Sequence, residues 1–329
     1  MAKYEIKNGV GIIPKGTKKI VGAAFENCKD LKSVVIPNSV TKIGARAFAL
    51  CSGLTHIDIP RSVTEIEGSA FYGCTSLTSI TIPESVTTIG WNAFAGCLSL
   101  TSIIVSEGNK KYDSRENCNA IIETETNTLI QGCNTSFIPD SVTKIGEYAF
   151  KNCEKLTSIV IPNSVESIKS GAFEYCTALT SIVIPDSVKE IGAIAFSHCV
   201  SLKSIALPES ITEIGYCAFG DCGSLTKIVI PSSTKRIGAL AFGNCHKLKS
   251  VVIKAGLNKI NDRAFWNCTS LKTVTFPTGV KVFGFDVFDR CKALKTISVP
   301  AKKTDYYKRR LDEKLHSLIV ELPAEKKRK

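Results

Sequence analysis

The chain has 329 residues, 44% of them hydrophobic and 22% charged, enough apolar material for a packed core and too much for a disordered chain. Its formal charge of +12 comes from 33 Lys and 9 Arg against 30 acidic residues. Lysine is a hydrated point charge without the Arg fork that matches phosphate, so this balance argues for a solubilising face before a nucleic-acid site. The first residues, Met1-Ala2-Lys3-Tyr4-Glu5-Ile6-Lys7, hold no apolar run of the kind a secretory leader needs, and no stretch reaches 18 apolar residues. A soluble chain that stays where it is made is the expectation from this end.

Self-similarity then governs the reading. Ala-Phe recurs with Phe at 25, 48, 71 and 94, then at 150, 173, 196, 219, 242 and 265, and Phe288 after Val287 extends the series. Every step is 23 residues except the 56 between Phe94 and Phe150, which hold one unit with ten extra residues. Residues 185–207 show the template, from Pro185 and Val188 through Ile191, Gly192, Phe196, Cys199, Leu202 and Ile205 to Leu207. Within a unit, Val34 and Ile36 alternate as in a half-buried strand, and Pro37, which cannot donate to a ladder, ends it. Residues 40–43 read as a second short strand, Gly44 as a tight turn, and Ala-Phe-x-x-Cys as one helical or 3-10 turn that folds Phe and Cys inward. One such unit cannot bury its apolar side; a stack of them can.

The unit between Ser106 and Pro139 is irregular, with a hairpin expected between 120–123 and 128–131. Insertions in repeat arrays map to loops, so this segment is read either as a local binding feature or as a register adjustment. At the ends, Tyr4–Ile6 and 10–13 are the N-terminal cap candidates. At the C-terminus a cap over 302–322 is expected: Thr304 as N-cap of a helix running to about His316, Tyr307, Leu311 and Leu315 on one face of it, and a strand over 317–322. Residues 323–329, rich in Lys, read as a disordered basic tail. Residues 1–322 are thus expected to form a single domain.

The unit Ser-Val-Thr-x-Ile-Gly-x-x-Ala-Phe-x-x-Cys-x-x-Leu-x-Ser-Ile-x-Ile-Pro resembles the BspA-type leucine-rich repeat of bacterial surface proteins, from about residue 10 to 322. Asn117-Cys118-Asn119-Ala120-Ile121-Ile122 and Thr128-Leu129-Ile130-Gln131-Gly132-Cys133 in the irregular unit look typical of it too. The resemblance implies a leucine-rich-repeat solenoid, a curved right-handed coil of about twelve 23-residue units with short parallel strands, 3-10 or helical turns and a C-terminal helix–strand cap. It also implies a non-enzymatic scaffold for protein binding or adhesion, with a host or extracellular-matrix protein as the kind of partner and the cell surface or the medium as location. The N-terminus argues instead for the cytoplasm. A monomer without cofactor is expected.

The cysteines invite two readings. Eleven of the fourteen share one repeat position: Cys28, Cys51, Cys74, Cys97, Cys153, Cys176, Cys199, Cys222, Cys245, Cys268 and Cys291. Neighbours in such a column sit a strand spacing apart, wider than disulfide geometry, so a ladder of buried thiols is favoured over a disulfide framework. Cys217 falls outside the column, in a slot expected to face solvent, and Cys118 with Cys133 are left open as a disulfide. His56, His198, His246 and His316 are scattered, so no zinc spacing exists. Ser and Thr recur by register, without a nucleophile-elbow, P-loop or dinucleotide motif, so no catalytic, metal or cofactor residue is expected. Recognition should fall on variable positions: the strand column Val35, Asp58, Thr81, Ile104, Val160, Val183, Ala206, Val229, Val252, Thr275 and Ser298, and aromatics near the Ala-Phe turn. Asp58, Thr81, Trp91, Tyr148, Tyr216 and Trp266 are the candidate partner-binding residues, with Phe285 beside them. The competing reading is polyanion or nucleic-acid binding through the Lys-rich surface and tail, with nucleic acid the less expected partner.

Overall fold

The computed structural model describes residues 3–323. The basic tail therefore lies outside the described residues from 324 onward. The chain divides into two compact units, Met1–Ser164 with Ala172–Cys176, and Val165–Gly171 with Thr177–Lys329. Both are built from the same 23-residue coil, and each is described by itself.

In the second unit the first side of the coil is a parallel sheet of Lys227–Ile230, Ser250–Ile253, Thr273–Thr275, Thr296–Val299 and Ile319–Glu321, with Ser181–Val183 and Ser204–Ala206 paired beside it. Pairing is in phase with the repeat, Ser250 opposite Thr273 and Thr273 opposite Thr296. The second side is a column of two-residue strands: Ser167–Ile168, Glu190–Ile191, Glu213–Ile214, Arg236–Ile237, Lys259–Ile260 and Val282–Phe283. In the first unit the corresponding column is Lys19–Ile20, Lys42–Ile43, Glu65–Ile66 and Thr88–Ile89. A three-residue strand is stable here because every coil covers the one before it.

The third side carries the Phe turn, which is not the helical or 3-10 turn that the spacing suggested. Residues two before and two after each Phe have positive φ, for example Ala23 (55°) and Asn27 (60°), or Arg46 (57°) and Leu50 (60°). Alternating the backbone this way aims the amides outward along the stack: Ala23 to Ala45 O at 2.9 Å, Phe25 to Ala47 O at 2.7 Å, Asn27 to Ala49 O at 2.8 Å. A helical turn would spend those amides within the coil and leave the next one unpaired. Left-handed φ costs a non-glycine residue on the order of 1 kcal/mol, and the inter-coil bonds offset it.

Inside, the Phe rings stack face to face. Phe25, Phe48, Phe71 and Phe94 are 5.2–5.4 Å apart in the first unit, and Phe196, Phe219, Phe242, Phe265 and Phe288 are 5.2–5.6 Å apart in the second. The irregular unit has no Ala-Phe. Its hairpin forms as expected, Ile121–Glu123 with Thr128–Gln131, and Gly132 lies against the Phe150 ring, where a Cβ would come within 2.2 Å.

The template glycine has a different reason from the tight turn assigned to Gly44. Its φ is not positive; a Cβ on Gly44 would sit 2.6 Å from Ile20 O and 2.7 Å from Gly22 N. The same holds at Gly192, Gly215 and Gly238, where the nearest backbone atoms are at 2.5–2.6 Å. Coils touch backbone to backbone at this corner, and glycine is the residue that lets them.

Both ends are capped. Glu5–Lys7 folds antiparallel on Val10–Ile12, which pairs parallel with Ser33–Val35. The C-terminal cap departs from the single helix expected. Thr304–Lys308 is helical with Lys303, not Thr304, at the N-cap; Glu313–Leu318 is 3-10; Ile319–Glu321 is the last strand. Around the helix end the chain is tied to the preceding coil, Tyr306 OH donating to Val280 O at 3.1 Å and Arg310 Nε to Lys281 O at 3.4 Å. Arg310 lies 3.7 Å over the Tyr306 ring and donates to Tyr306 O, and Asp312 is extended at ψ 140°. Tyr307, Leu311 and Leu315 are buried, with Tyr307 stacked on Phe276 at 5.1 Å.

Candidate functional site

The repeated polar residues are committed to the coil. The template Ser donates to the preceding coil's carbonyl, as in Ser62 to Val40 O, Ser85 to Val63 O and Ser210 to Val188 O, each at 2.6 Å. Template Thr does likewise, Thr64 to Thr41 O and Thr87 to Thr64 O. The cysteine column follows a common pattern as well. From coil to coil the Sγ points at the carbonyl of the Phe 26 residues back, as in Cys51 at Phe25 O (2.9 Å), Cys74 at Phe48 O (3.1 Å), Cys222 at Phe196 O (3.2 Å) and Cys268 at Phe242 O (3.2 Å), whereas Cys28 points at Glu26 O and Cys153 at Gly132 O. A thiol is small enough for the corner and still a weak donor to that oxygen. Burial pushes the ionisation of Cys51 and Cys97 up to about 12, and that of Cys74, Cys153 and Cys222 well above the ordinary value. All fourteen cysteines are free thiols; Cys28 and Cys217 are half-buried and the others buried. Cys118 Sγ is 3.9 Å from Ala120 O and Cys133 Sγ 3.5 Å from Asn119 O, each engaged with backbone.

A contact chain on the turn side of the second unit imitates a catalytic triad. Ser197 Oγ is 3.0 Å from His198 Nδ1, and His198 Nε2 is 3.7 Å from Asp221. Ser197 is 2% exposed, out of reach of a substrate. The chain also runs on, Asn244 Nδ2 to Asp221 at 3.0 Å and Asn267 Nδ2 to Asn244 at 2.8 Å. It is a side-chain ladder two residues after each Phe, and sequence reading missed it because His, Asp and Asn share a column without sharing a motif.

The six candidate recognition residues do not form one surface. Asp58 and Thr81 lie on the strand side of the first unit and border one cavity of about 330 Å³ with His56, Arg61 and Ser79, Asp58 being 3.0 Å from His56. Trp91 (67% exposed) and Tyr216 (53%) stand on the turn sides of the first and second units. Tyr148 is half-buried with Lys151 over its ring at 4.9 Å, and Trp266 half-buried with Arg290 at 5.0 Å. A larger cavity of about 550 Å³ opens on the turn side of the first unit, where Gly73 and Gly96 leave a floor beside Leu50, Tyr72 and Tyr175. Lys151 and Glu174 border it as an ion pair of 2.8 Å.

The strand side is the most uniform surface. In the second unit the outward column Val183, Ala206, Val229, Val252, Thr275 and Ser298 is small or β-branched and uncharged, with Val183 76% exposed. Among the described residues no three His, Cys, Asp or Glu side chains gather as a metal cluster, and no helix is long and apolar enough to cross a membrane.

A coil that spends its conserved-by-register residues on stacking and its outward positions on variety defines a repeat scaffold, a leucine-rich-repeat β-solenoid. The chain belongs to the BspA type leucine-rich repeat family, matched over residues 7–121, 128–248 and 212–313. It is similar to a leucine rich cell surface protein of Faecalibacterium prausnitzii (34% identity, TM-score 0.59), over 77% of this chain and 62% of that one. The chain thus spans less than two thirds of that relative. It is also similar to leucine-rich repeat proteins of Eubacterium ventriosum (26%, TM-score 0.75, 86% and 83% covered) and Bacteroides ovatus (27%, TM-score 0.55, 95% and 83% covered). A search of curated proteins finds no match.

Proposed function

We propose that the protein acts by binding, not catalysis, and presents the strand side of its coils to a protein partner. The observation that carries this reading is the uncharged column of small and β-branched residues from Val183 to Ser298 on a parallel sheet, exposed at Val183 and Ala206 and half-buried from Val229 to Ser298, while the template residues are turned inward or bonded to the next coil. Protein interfaces favour such a charge-poor centre with a polar rim. Kinship with a named cell surface protein supports an adhesive role at a cell surface. Trp91, Tyr216 and Phe285 offer a second reading, since exposed aromatics on a rigid frame make binding hot spots. The two are separated by photo-crosslinking: a photoreactive residue at position 252 should yield adducts with one discrete protein from the organism's surroundings, and the same residue at 216 should yield none. Adducts from 216 alone would move the site to the turn side; none from either would remove the protein-binding reading.

A further inference from the structure

The formal charge is not shared between the two units. The first holds 16 Lys and Arg against 16 Asp and Glu, and the second 26 against 14, so all twelve excess charges belong to the second. Four of its fourteen acidic side chains are engaged with Lys or Arg: Glu209 with Lys254, Glu213 with Arg236, Asp286 with Arg263, Asp289 with Lys314. Part of the remaining positive charge is ordered. Lys203, Lys249, Lys272 and Lys295 occupy one column at the corner where the strand side begins, with Lys227 beside Thr226 in the remaining coil. The backbone locks them in line: Lys249 N donates to Thr226 O at 2.8 Å, Lys272 N to Lys249 O at 2.9 Å, and Lys295 N to Lys272 O at 3.0 Å. Successive lysines therefore sit about 4.8 Å apart at the backbone. All five are exposed, and none has an ion-pair partner among the described residues.

Stacking does not require lysine here. In the first unit the same column is Lys32 followed by Thr55, Thr78 and Thr101, and each threonine hydroxyl bonds to the preceding coil. Three like charges in adjacent rungs repel one another, and the repeat carries a neutral alternative. The lysine edge runs beside the uncharged column of Val229, Val252, Thr275 and Ser298. We infer that this edge and column together bind an acidic segment of a protein partner, carboxylates over the lysines and apolar side chains over the valines. Single-stranded nucleic acid and sugars favour aromatic platforms, whereas the exposed aromatics of this unit, Tyr216 and Phe285, belong to its turn side. The inference rests on the strand-side reading above and adds the charge of the partner.

The test uses the full chain and a labelled peptide of alternating Glu and Val, with oligothymidylate and a heparin oligosaccharide as comparators. Replacing Lys249, Lys272 and Lys295 together by Thr, the residue the first unit uses, should weaken peptide binding at least about tenfold and flatten its salt dependence. Removing the same charge elsewhere, with Lys15→Thr, Lys29→Thr and Lys155→Thr, should leave it unchanged. The inference falls if the peptide does not bind, if both triple variants lose equally, or if either comparator binds more tightly than the peptide and is lost with the same column. Should position 252 crosslink a protein while the column variant keeps its affinity, the strand-side reading stands and the acidic partner does not.

Discussion

Raising the pH from 8 to about 10 is expected to unfold the protein. Seven buried thiols, Cys51, Cys74, Cys97, Cys118, Cys153, Cys222 and Cys245, have ionisation pushed above the ordinary value of 9.0, burial being the first cause at each. For Cys51 and Cys97 it reaches about 12, and for Cys118 about 11. A thiol held neutral by folding contributes its full stability below pH 9, where the unfolded chain also keeps its proton. Between about 9 and 12 the unfolded chain ionises and the folded one does not, so stability falls as pH rises. At pH 10 each such thiol opposes folding by about 1 kcal/mol, and the seven together remove several kcal/mol, a large part of a domain's stability. Circular dichroism and thiol labelling followed together should change in one transition, with slow reaction at the half-buried Cys28 and Cys217 before it. Absorbance of seven or more thiolates near pH 9 in a chain that remains folded would contradict this.

The second large effect lies in the ring stack. Phe219 is fully buried between Phe196 and Phe242, 5.3 Å from each. Phe219→Ala removes both contacts and leaves a cavity that rigid neighbouring coils cannot close, costing about 4 kcal/mol. The expected loss in Tm is on the order of 10 °C. Phe219→Leu keeps much of the volume without the ring faces and should cost less than half as much. Equal losses for Leu and Ala would show that stacking geometry, not filled volume, holds the coils together.

How far the molecule was legible in its sequence depends on which force set each feature. Burial leaves a periodic mark, and the 23-residue recurrence of Phe, Cys and Leu announced the coil, its inward face and the hairpin of the irregular unit. Backbone conformation left none. Ala23, Arg46, Tyr175 and Ile194 are not residues that advertise positive φ, and they adopt it (φ 50–60°) because bonds to the next coil require it. Gly44 looked like a turn former and is a contact point, a distinction that exists only between coils. The terminal helix satisfied every local rule and still stopped at Lys308, where Tyr306 and Arg310 bond to carbonyls of the preceding coil. The grouping of the outward positions left no mark either: Asp58 and Thr81 stand on the strand side of the first unit and Trp91 on its turn side.

Recognition by the strand side is tested by the affinity of the partner captured at position 252 for two variants of equal stability. Val229→Glu with Val252→Glu places charge in the neutral column without touching the inward-facing core. At least a hundredfold loss is expected, about 2.7 kcal/mol, while Trp91→Ala with Tyr216→Ala binds as the parent does. Retained affinity in the first variant and loss in the second would contradict it and assign recognition to the turn side.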